Sequence, residues 1–318
     1  MKKILKILII ALILLVLVLG LAFVYIYGPS FGIYIKKPSP QEYVEKAVQF
    51  MDSQGIYSDS DEWKAVREET LGKAASLGSY EEAYPIIEDA LKAAGGKHSK
   101  LIEPGSMSDS TEAPEMPECE MRTDGIMLIR LPEFSGDSKT GAEYAKTVND
   151  ALRSSANDIK GVIIDLRGNT GGDMGPMVAA VSPLLDDGEL LNFGVKGTLR
   201  SVTLKDGCVS GGGSTVTIDD PFKLKGIPVA ILQDDMTASS GEATLLCFRG
   251  LDYAKSFGTA SAGYCSCNNV IKLYDGAQML LTMGTDIART GEQFCEDPIE
   301  PDVPSADPEA DAAEWILG

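Results

Sequence analysis

The sequence predicts a mixed α/β domain behind a small helical one, with an apolar membrane-spanning segment at the N-terminus. Three observations carry that reading. Residues 7–27 form an uncharged apolar run. Residues 41–94 repeat their apolar side chains at helical spacing. Two apolar runs, 161–166 (broken only by Asp165) and 229–232, each lead into a Gly- or Ser-bearing turn and then a helix-like segment. Such runs are the pattern of strands buried on both faces of a mostly parallel sheet. A chain of 318 residues can bury one large core or two modest ones.

Lys2, Lys3 and Lys6 precede the apolar run, which is long enough to cross a bilayer. The positive-inside rule then places the N-terminus in the cytoplasm and the remainder outside. The expectation is an uncleaved signal-anchor over 1–28 and a linker over 29–40, giving a single-pass protein of the cell membrane with its domain extracytoplasmic. A cleavable signal peptide is the alternative, although its apolar region is shorter as a rule. No A-x-A site precedes Gly28, and no cysteine ends the run for lipid attachment.

The formal net charge of −19 excludes nucleic acid as a partner, because a phosphate backbone calls for a basic surface. Setting aside the three N-terminal lysines takes the exported part from −19 to −22. No GxxxxGK[ST] loop and no GxGxxG after a strand is present, so nucleotide chemistry has no support. All six cysteines lie on the exported side; disulfides are permitted there, and their pairing stays open. Cys265 and Cys267 stand too close for a zinc knuckle and the chain has one histidine, so no metal and no cofactor is expected.

Within 41–104 three apolar stripes predict a helical subdomain: Tyr43, Ala47, Phe50 and Met51; then Trp63, Val66 and Leu71; then Tyr84, Ile87 and Leu91. Gly55, Gly72, Gly78 and Gly95 punctuate them. The subdomain ends at Gly95-Gly96-Lys97-His98-Ser99, with the single histidine. A lone histidine is more often a plain surface or core residue, yet imidazole is the side chain best suited to take a serine proton near neutral pH. Residues 105–123, rich in Pro, Ser, Glu and Met, read as a mobile loop.

The α/β domain is expected over 124–318. It opens with a strand at 125–131 and an amphipathic helix at 141–154, whose Tyr144, Val148 and Leu152 share a face. The strand at 161–166 ends beside Asp165 and Arg167, and Gly171-Gly172 turns the chain into a helix over 174–185. Strand-like segments over 190–218 surround a Gly-rich tip at 210–214. Later come a strand at 255–257, a hairpin about Asp275-Gly276 and a closing helix at 308–317.

The stretch 228–250 organises the rest. It reads as a buried strand, a tight turn and a helix, with Ser239 where turn meets helix. Free N–H groups at the helix start lie beside that hydroxyl and can stabilise an oxyanion. A second reading is open for the isolated stretch: Thr237, Ser239 and Ser240 cap the helix and Glu242 completes a capping box. Gly171 and Gly172 likewise make either a plain turn or one whose N–H groups approach an anion.

Five segments, in order, resemble the tail-specific, or C-terminal-processing, serine protease family. These are His98-Ser99; Asp165-Leu166-Arg167-Gly168-Asn169-Thr170-Gly171-Gly172; Thr237-Ala238-Ser239-Ser240-Gly241-Glu242; 273–282; and 298–303. The resemblance implies a ClpP/crotonase-like core, with Ser239 as nucleophile and His98 as base. It further implies Glu296 as orienting acid, Ser99 as a neighbouring hydroxyl, and an oxyanion hole from the Ser240 N–H with that of Gly171 or Gly172. Many members use a lysine base in a Gly-Lys-Gly segment; here Gly263-Tyr264-Cys265 stands there. The gap from His98 to Gly125 is also too short for a PDZ domain. Both departures resemble the branch of the tricorn protease core and retinoid-binding-protein-like domains.

The function so implied is a membrane-anchored extracytoplasmic serine peptidase acting on a peptide or protein substrate through an acyl-enzyme. A catalytically silent relative that binds peptides or apolar ligands, and an esterase, are the alternatives. Oligomeric state is left open. An imidazole at its ordinary pKa of ~6.5 would make the rate rise through that pH.

Overall fold

The computed structural model describes residues 2–28, 33–106 and 114–318. The chain divides into two compact units, one of Met1–Asp109 with Asn268–Met283, the other of Ser110–Cys267 with Gly284–Gly318.

The first unit begins with α1 (Lys2–Tyr27), whose stretch Ile4–Tyr25 has no buried residue and is long and apolar enough to cross a membrane. Helices α2 (Pro40–Gln54), α3 (Asp61–Ala74) and α4 (Tyr84–Gly95) follow, then the short strand β1 (Lys100–Ile102). Helix α2 starts where the sequence stops it from starting earlier: Pro40 takes the first helical position, and Ser39 and Glu42 form a capping box. The Ser39 N–H donates to Glu42 Oε2 at 2.7 Å and the Glu42 N–H to Ser39 Oγ at 3.2 Å. The three stripes read from the sequence converge in one buried cluster that includes Tyr43, Met51, Trp63, Ile87 and Leu91. Ile271, Leu273, Ala277, Met279 and Leu281 belong to the same cluster. That shared apolar burial is why the hairpin at 268–283 groups with the helices, whereas the sequence reading put it with 124–318.

In the second unit the chain runs β2 (Glu118–Met121), β3 (Ile126–Arg130), α5 (Ser138–Ser154), β4 (Gly161–Asp165) and α6 (Met174–Ala180). It continues through β5 (Gly188–Val195), β6 (Thr198–Lys205), β7 (Cys208–Ser210), β8 (Val216–Thr217), β9 (Val229–Gln233), α7 (Ser240–Leu246) and β10 (Ala254–Gly258). Strands β11 (Ser266–Lys272) and β12 (Gln278–Ala288) carry the chain through the hairpin; β13 (Gln293–Phe294), β14 (Val303–Pro304) and α8 (Pro308–Leu317) end it.

Six strands form one sheet in the order β14-β10-β9-β4-β3-β2, parallel except for β2 at the edge. Its side chains alternate between two cores. Met127, Ile129, Val162, Ile164, Val229 and Ile231 face the cluster that also holds residues of α5, α6 and α7. Ile126, Leu128, Ile163, Ala230 and Leu232 face α8 through Ala312, Ala313 and Ile316. Burial on both faces accounts for the uninterrupted apolar runs. A second, antiparallel array pairs β5 with Gly284–Ala288 of β12 and continues through β6, β7 and β8.

Two expectations are corrected. Glu118–Met121, read as part of a loop over 105–123, is a strand that pairs with β3 from Glu118↔Arg130 to Met121↔Met127; residues 107–113 of that loop lie outside the described residues. The helix expected over 174–185 ends at Ala180, and a 3-10 turn at Ser182–Leu184 takes over at Pro183, which has no N–H to continue an α-helix.

Candidate active site

Neighbouring parallel strands β4 and β9 end side by side, so the turns that leave them are built against each other. The turn after β9 is closed by its own side chains. Asp234 Oδ1 accepts the N–H groups of Met236 and Thr237, both at 3.0 Å, and that of Gly168 in the other turn, also at 3.0 Å. Thr237 Oγ1 donates to the Leu166 carbonyl at 2.9 Å, and the Ala238 N–H to the Asn169 carbonyl at 2.9 Å. The two turns are therefore one hydrogen-bonded body.

Ser239 closes this turn with φ 52° and ψ −116°, a conformation that side chains disfavour, and Ser240 opens α7. Strain of this kind costs ~1–3 kcal/mol and persists only where the surroundings over-determine it. It is also the backbone solution of a nucleophile on a sharp strand-to-helix turn. The Ser239 side chain is partly exposed.

The turn after β4 supplies the other wall. Gly171 has φ 115°, and a Cβ there would stand 2.8 Å from Ser239 Cβ and 3.1 Å from the Ser240 nitrogen. Buried Asn169 shapes the turn from within: its Oδ1 accepts the Gly171 N–H at 2.9 Å and its Nδ2 donates to the Leu131 carbonyl at 2.8 Å. Gly172, at φ 100°, lies so close to Phe134 that a Cβ would meet the Phe134 carbonyl oxygen at 2.0 Å. Ser240 Oγ donates to the Gly172 carbonyl at 2.6 Å. Thus the Gly171 N–H is already engaged, while no hydrogen bond to another described residue occupies the Gly172 or Ser240 N–H.

Glu242 is the residue whose part the sequence understated. Its carboxylate is fully buried and accepts four donors. Oε2 takes the N–H of Ser239 at 2.8 Å and of Tyr264 at 2.8 Å; Oε1 takes the N–H of Gly263 at 2.9 Å and the hydroxyl of Ser261 at 2.5 Å. Burial raises its pKa, and the four donors pull it back. The spacing Ser239–Glu242 is legible as half of a capping box, and the Ser239 N–H bond fulfils it. The other three donors come from a segment some twenty residues later, which no local pattern reveals.

Beside this segment Cys265 donates its thiol to Asp286 Oδ2 at 3.4 Å. Asp286 is buried and its Oδ1 meets no hydrogen-bond donor among the described residues. Burial therefore pushes its pKa up to about 7, with the thiol pulling down weakly and Glu242 adding to the rise.

In the first unit, His98 and Ser99 follow the Gly95-Gly96 end of α4, where Gly96 takes φ 77°. Ser99 is buried; its Oγ accepts the Thr282 N–H at 3.0 Å and donates to Thr282 Oγ1 at 3.3 Å. Its hydroxyl thereby fixes the turn that carries His98, which is a positioning task. Half-buried His98 has its pKa lowered to about 4, first by burial and then by the charges of Lys100 and Lys97. The ordinary imidazole value assumed from sequence is thus corrected downward. Glu296 is half-buried in the bend after β13, in the second unit. The second unit itself brings together Ser239, Ser240, Gly171 and Gly172.

The family profile of peptidase family S41 matches residues 125–305. The chain belongs to that family of serine peptidases. It is 38% identical over 298 residues to the nisin-resistance protein of Lactococcus lactis subsp. lactis, covering 93% of each chain. Among solved structures it is similar to a lipoprotein from Streptococcus agalactiae, with TM-score 0.80 and 31% identity over 89% of this chain and 98% of that one. It shares its fold with the photosystem II D1 C-terminal processing protease, with TM-score 0.60 and 14% identity over 85% of this chain and 94% of that one.

Two outcomes are expected. Gly171→Ala forces a side chain against Ser239 at a positive φ. Displacing the Ser239 hydroxyl should slow its labelling by a fluorophosphonate, by up to ~10²-fold for a shift of about 1 Å. Asp286 holds its proton more tightly folded than unfolded, so its contribution to stability is lost as pH rises from the unfolded carboxylate range towards about 7. Urea unfolding at pH 5 and pH 8 should show Asp286→Asn losing less stability over that interval than the wild type.

Proposed function

We propose that this protein is a membrane-anchored serine peptidase whose catalytic machinery works outside the membrane on a ClpP/crotonase-like core. One observation carries the reading: Ser239, held at a strained backbone, adjoins the Ser240 N–H, which no other described residue occupies, and stands against the Gly171-Gly172 turn. Ser239 is the nucleophile and His98 its base. Glu296 orients the imidazole and Ser99 positions the turn that bears it. The helix α1 is the anchor, consistent with its apolar length.

In acylation Ser239 Oγ attacks the scissile carbonyl carbon as its proton passes to the His98 imidazole. The negative charge that develops on the carbonyl oxygen is stabilised by the Ser240 and Gly172 N–H groups and the start of α7. Collapse expels the amine, which takes the proton from the imidazolium, and leaves an ester on Ser239. Water, deprotonated by the same imidazole, then releases the acid product. Gly171, whose own N–H is bound by Asn169, shapes the hole without donating to it.

The Lactococcus relative is named for nisin resistance. We propose that nisin or a peptide of its kind is a substrate of this chain, which suits an acidic exported domain if the peptide is cationic. Mass spectrometry of nisin incubated with the full chain would show a cleaved product with wild type and none with Ser239→Ala.

Fluorophosphonate labelling tests the nucleophile. Ser239→Ala should abolish it with the fold intact, whereas Ser240→Ala should label nearly normally because its proposed contribution is a backbone N–H. An unlabelled wild type would favour the catalytically silent alternative. His98→Ala should lower kcat by ~10²–10⁴-fold. A base whose pKa lies at about 4 is already deprotonated at pH 5. Between pH 5 and 8 kcat/KM should accordingly stay nearly flat, with its acid limb well below 6.5. A profile that climbs towards pH 10 would instead indicate a lysine or tyrosine base.

A further inference from the structure

In the first unit, outside α1, the large apolar side chains that remain exposed among the described residues are Ile33, Ile35, Val270 and Tyr274. Two of them belong to the linker that follows α1 and two to the hairpin. The described part of the linker, from residue 33, makes specific contacts. The Ile33 N–H donates to the Gly28 carbonyl at 2.8 Å, which ties it back to the end of α1. Tyr34 packs edge-on against Tyr274 with ring centroids 5.2 Å apart, and Tyr80 donates its hydroxyl to the Pro38 carbonyl at 2.6 Å.

The hairpin tip is clamped in turn. Asp275 accepts the hydroxyl of Tyr43 at 3.0 Å and that of Tyr84 at 2.8 Å, so its neighbour Tyr274 is fixed on α2 and α4. Linker and tip thus form one ordered surface of apolar and aromatic side chains, continuous with an apolar helix of membrane-spanning length. Its position and chemistry match the interfacial belt that flanks spanning helices, where aromatic rings and aliphatic side chains sit at headgroup level.

We propose that this surface is a seat on the outer leaflet: Ile33, Ile35 and Tyr274 enter the boundary between headgroups and acyl chains and hold the first unit against the bilayer. The inference rests on the reading of α1 as a retained anchor. The contact is apolar in character. Lys36 is already paired with Glu42 at 3.0 Å, and Lys37 lies over the Tyr80 ring at 5.4 Å, so neither is wholly given to anionic headgroups.

The test uses the full chain reconstituted in phospholipid vesicles, with Ile35→Trp as reporter and Tyr274→Trp as a second reporter on the other arm. The same vesicles without bromine are the control. Co-flotation with vesicles reads the anchor, and quenching by lipids brominated high on the acyl chain reads the seat. Both reporters should lose about half of their added fluorescence relative to that control, as expected for a side chain several ångströms into the interface. The quenching should survive high salt. Reporters left unquenched while the chain still floats would overturn the seat alone, as would quenching abolished by salt. Failure to float would remove the anchor and the seat together.

Discussion

The candidate site depends on one buried carboxylate. Glu242 takes the Ser239 N–H on one side and three donors of residues 261–264 on the other, so it joins the helix that carries the serine to a segment distant in sequence. Charge-assisted hydrogen bonds of this kind contribute ~1.5–3 kcal/mol each, enough in combination to offset the ~1–3 kcal/mol of backbone strain at Ser239. Without an acceptor at that place the four donors would be buried unpaired, and the turn would relax to a conformation in which the hydroxyl no longer stands beside the free N–H groups. The strain is affordable because the surroundings leave the chain no other way to satisfy its polar groups.

The sheet supplies the platform. Parallel strands β4 and β9 deliver two turns at their C-terminal ends, where loops of an open α/β sheet meet. Asn169 and Asp234 then divide the work between them. Asp234 knits one turn to the other, and Asn169 occupies the Gly171 N–H so that only its neighbour is left unengaged. Gly171 and Gly172 are required on two grounds: each takes a positive φ, and each has a backbone or side-chain atom where a Cβ would lie. Here the glycines serve close approach as much as backbone freedom.

What the sequence made legible was whatever is local or periodic. The apolar stripes of 41–94, the strands at 161–166 and 229–232 and the Ser239 junction could all be read because each is a pattern within a few turns of chain. Strand Glu118–Met121 escaped because its side chains are mostly exposed at a sheet edge, where no apolar alternation marks it. The hairpin at 268–283 was assigned by chain order, but its apolar side chains complete the helical cluster, a fact of packing that order does not carry. Glu242 looked like a helix cap because three of its four donors lie far along the chain. For His98 the residue type was plain and its chemistry was not, since burial depends on the fold.

Burial acts on three titratable groups here and pushes each towards its uncharged form. Glu242 has four donors to support its charge. Among the described residues Asp286 has one weak thiol donor and its Oδ1 meets none, so it retains its proton up to about 7. His98 loses its proton readily, with a pKa near about 4, for the same reason that Asp286 keeps one: a buried group favours its uncharged form. A neutral imidazole is ready to accept a proton but, at so low a pKa, gives little driving force for taking one from a serine. The proposed mechanism therefore needs a carboxylate that stabilises the imidazolium as it forms, which is the part a triad acid plays. That requirement gives the acid implied by the resemblance, Glu296, its proposed task. It also explains how a base can be kept neutral over a wide pH range and still act in the transition state.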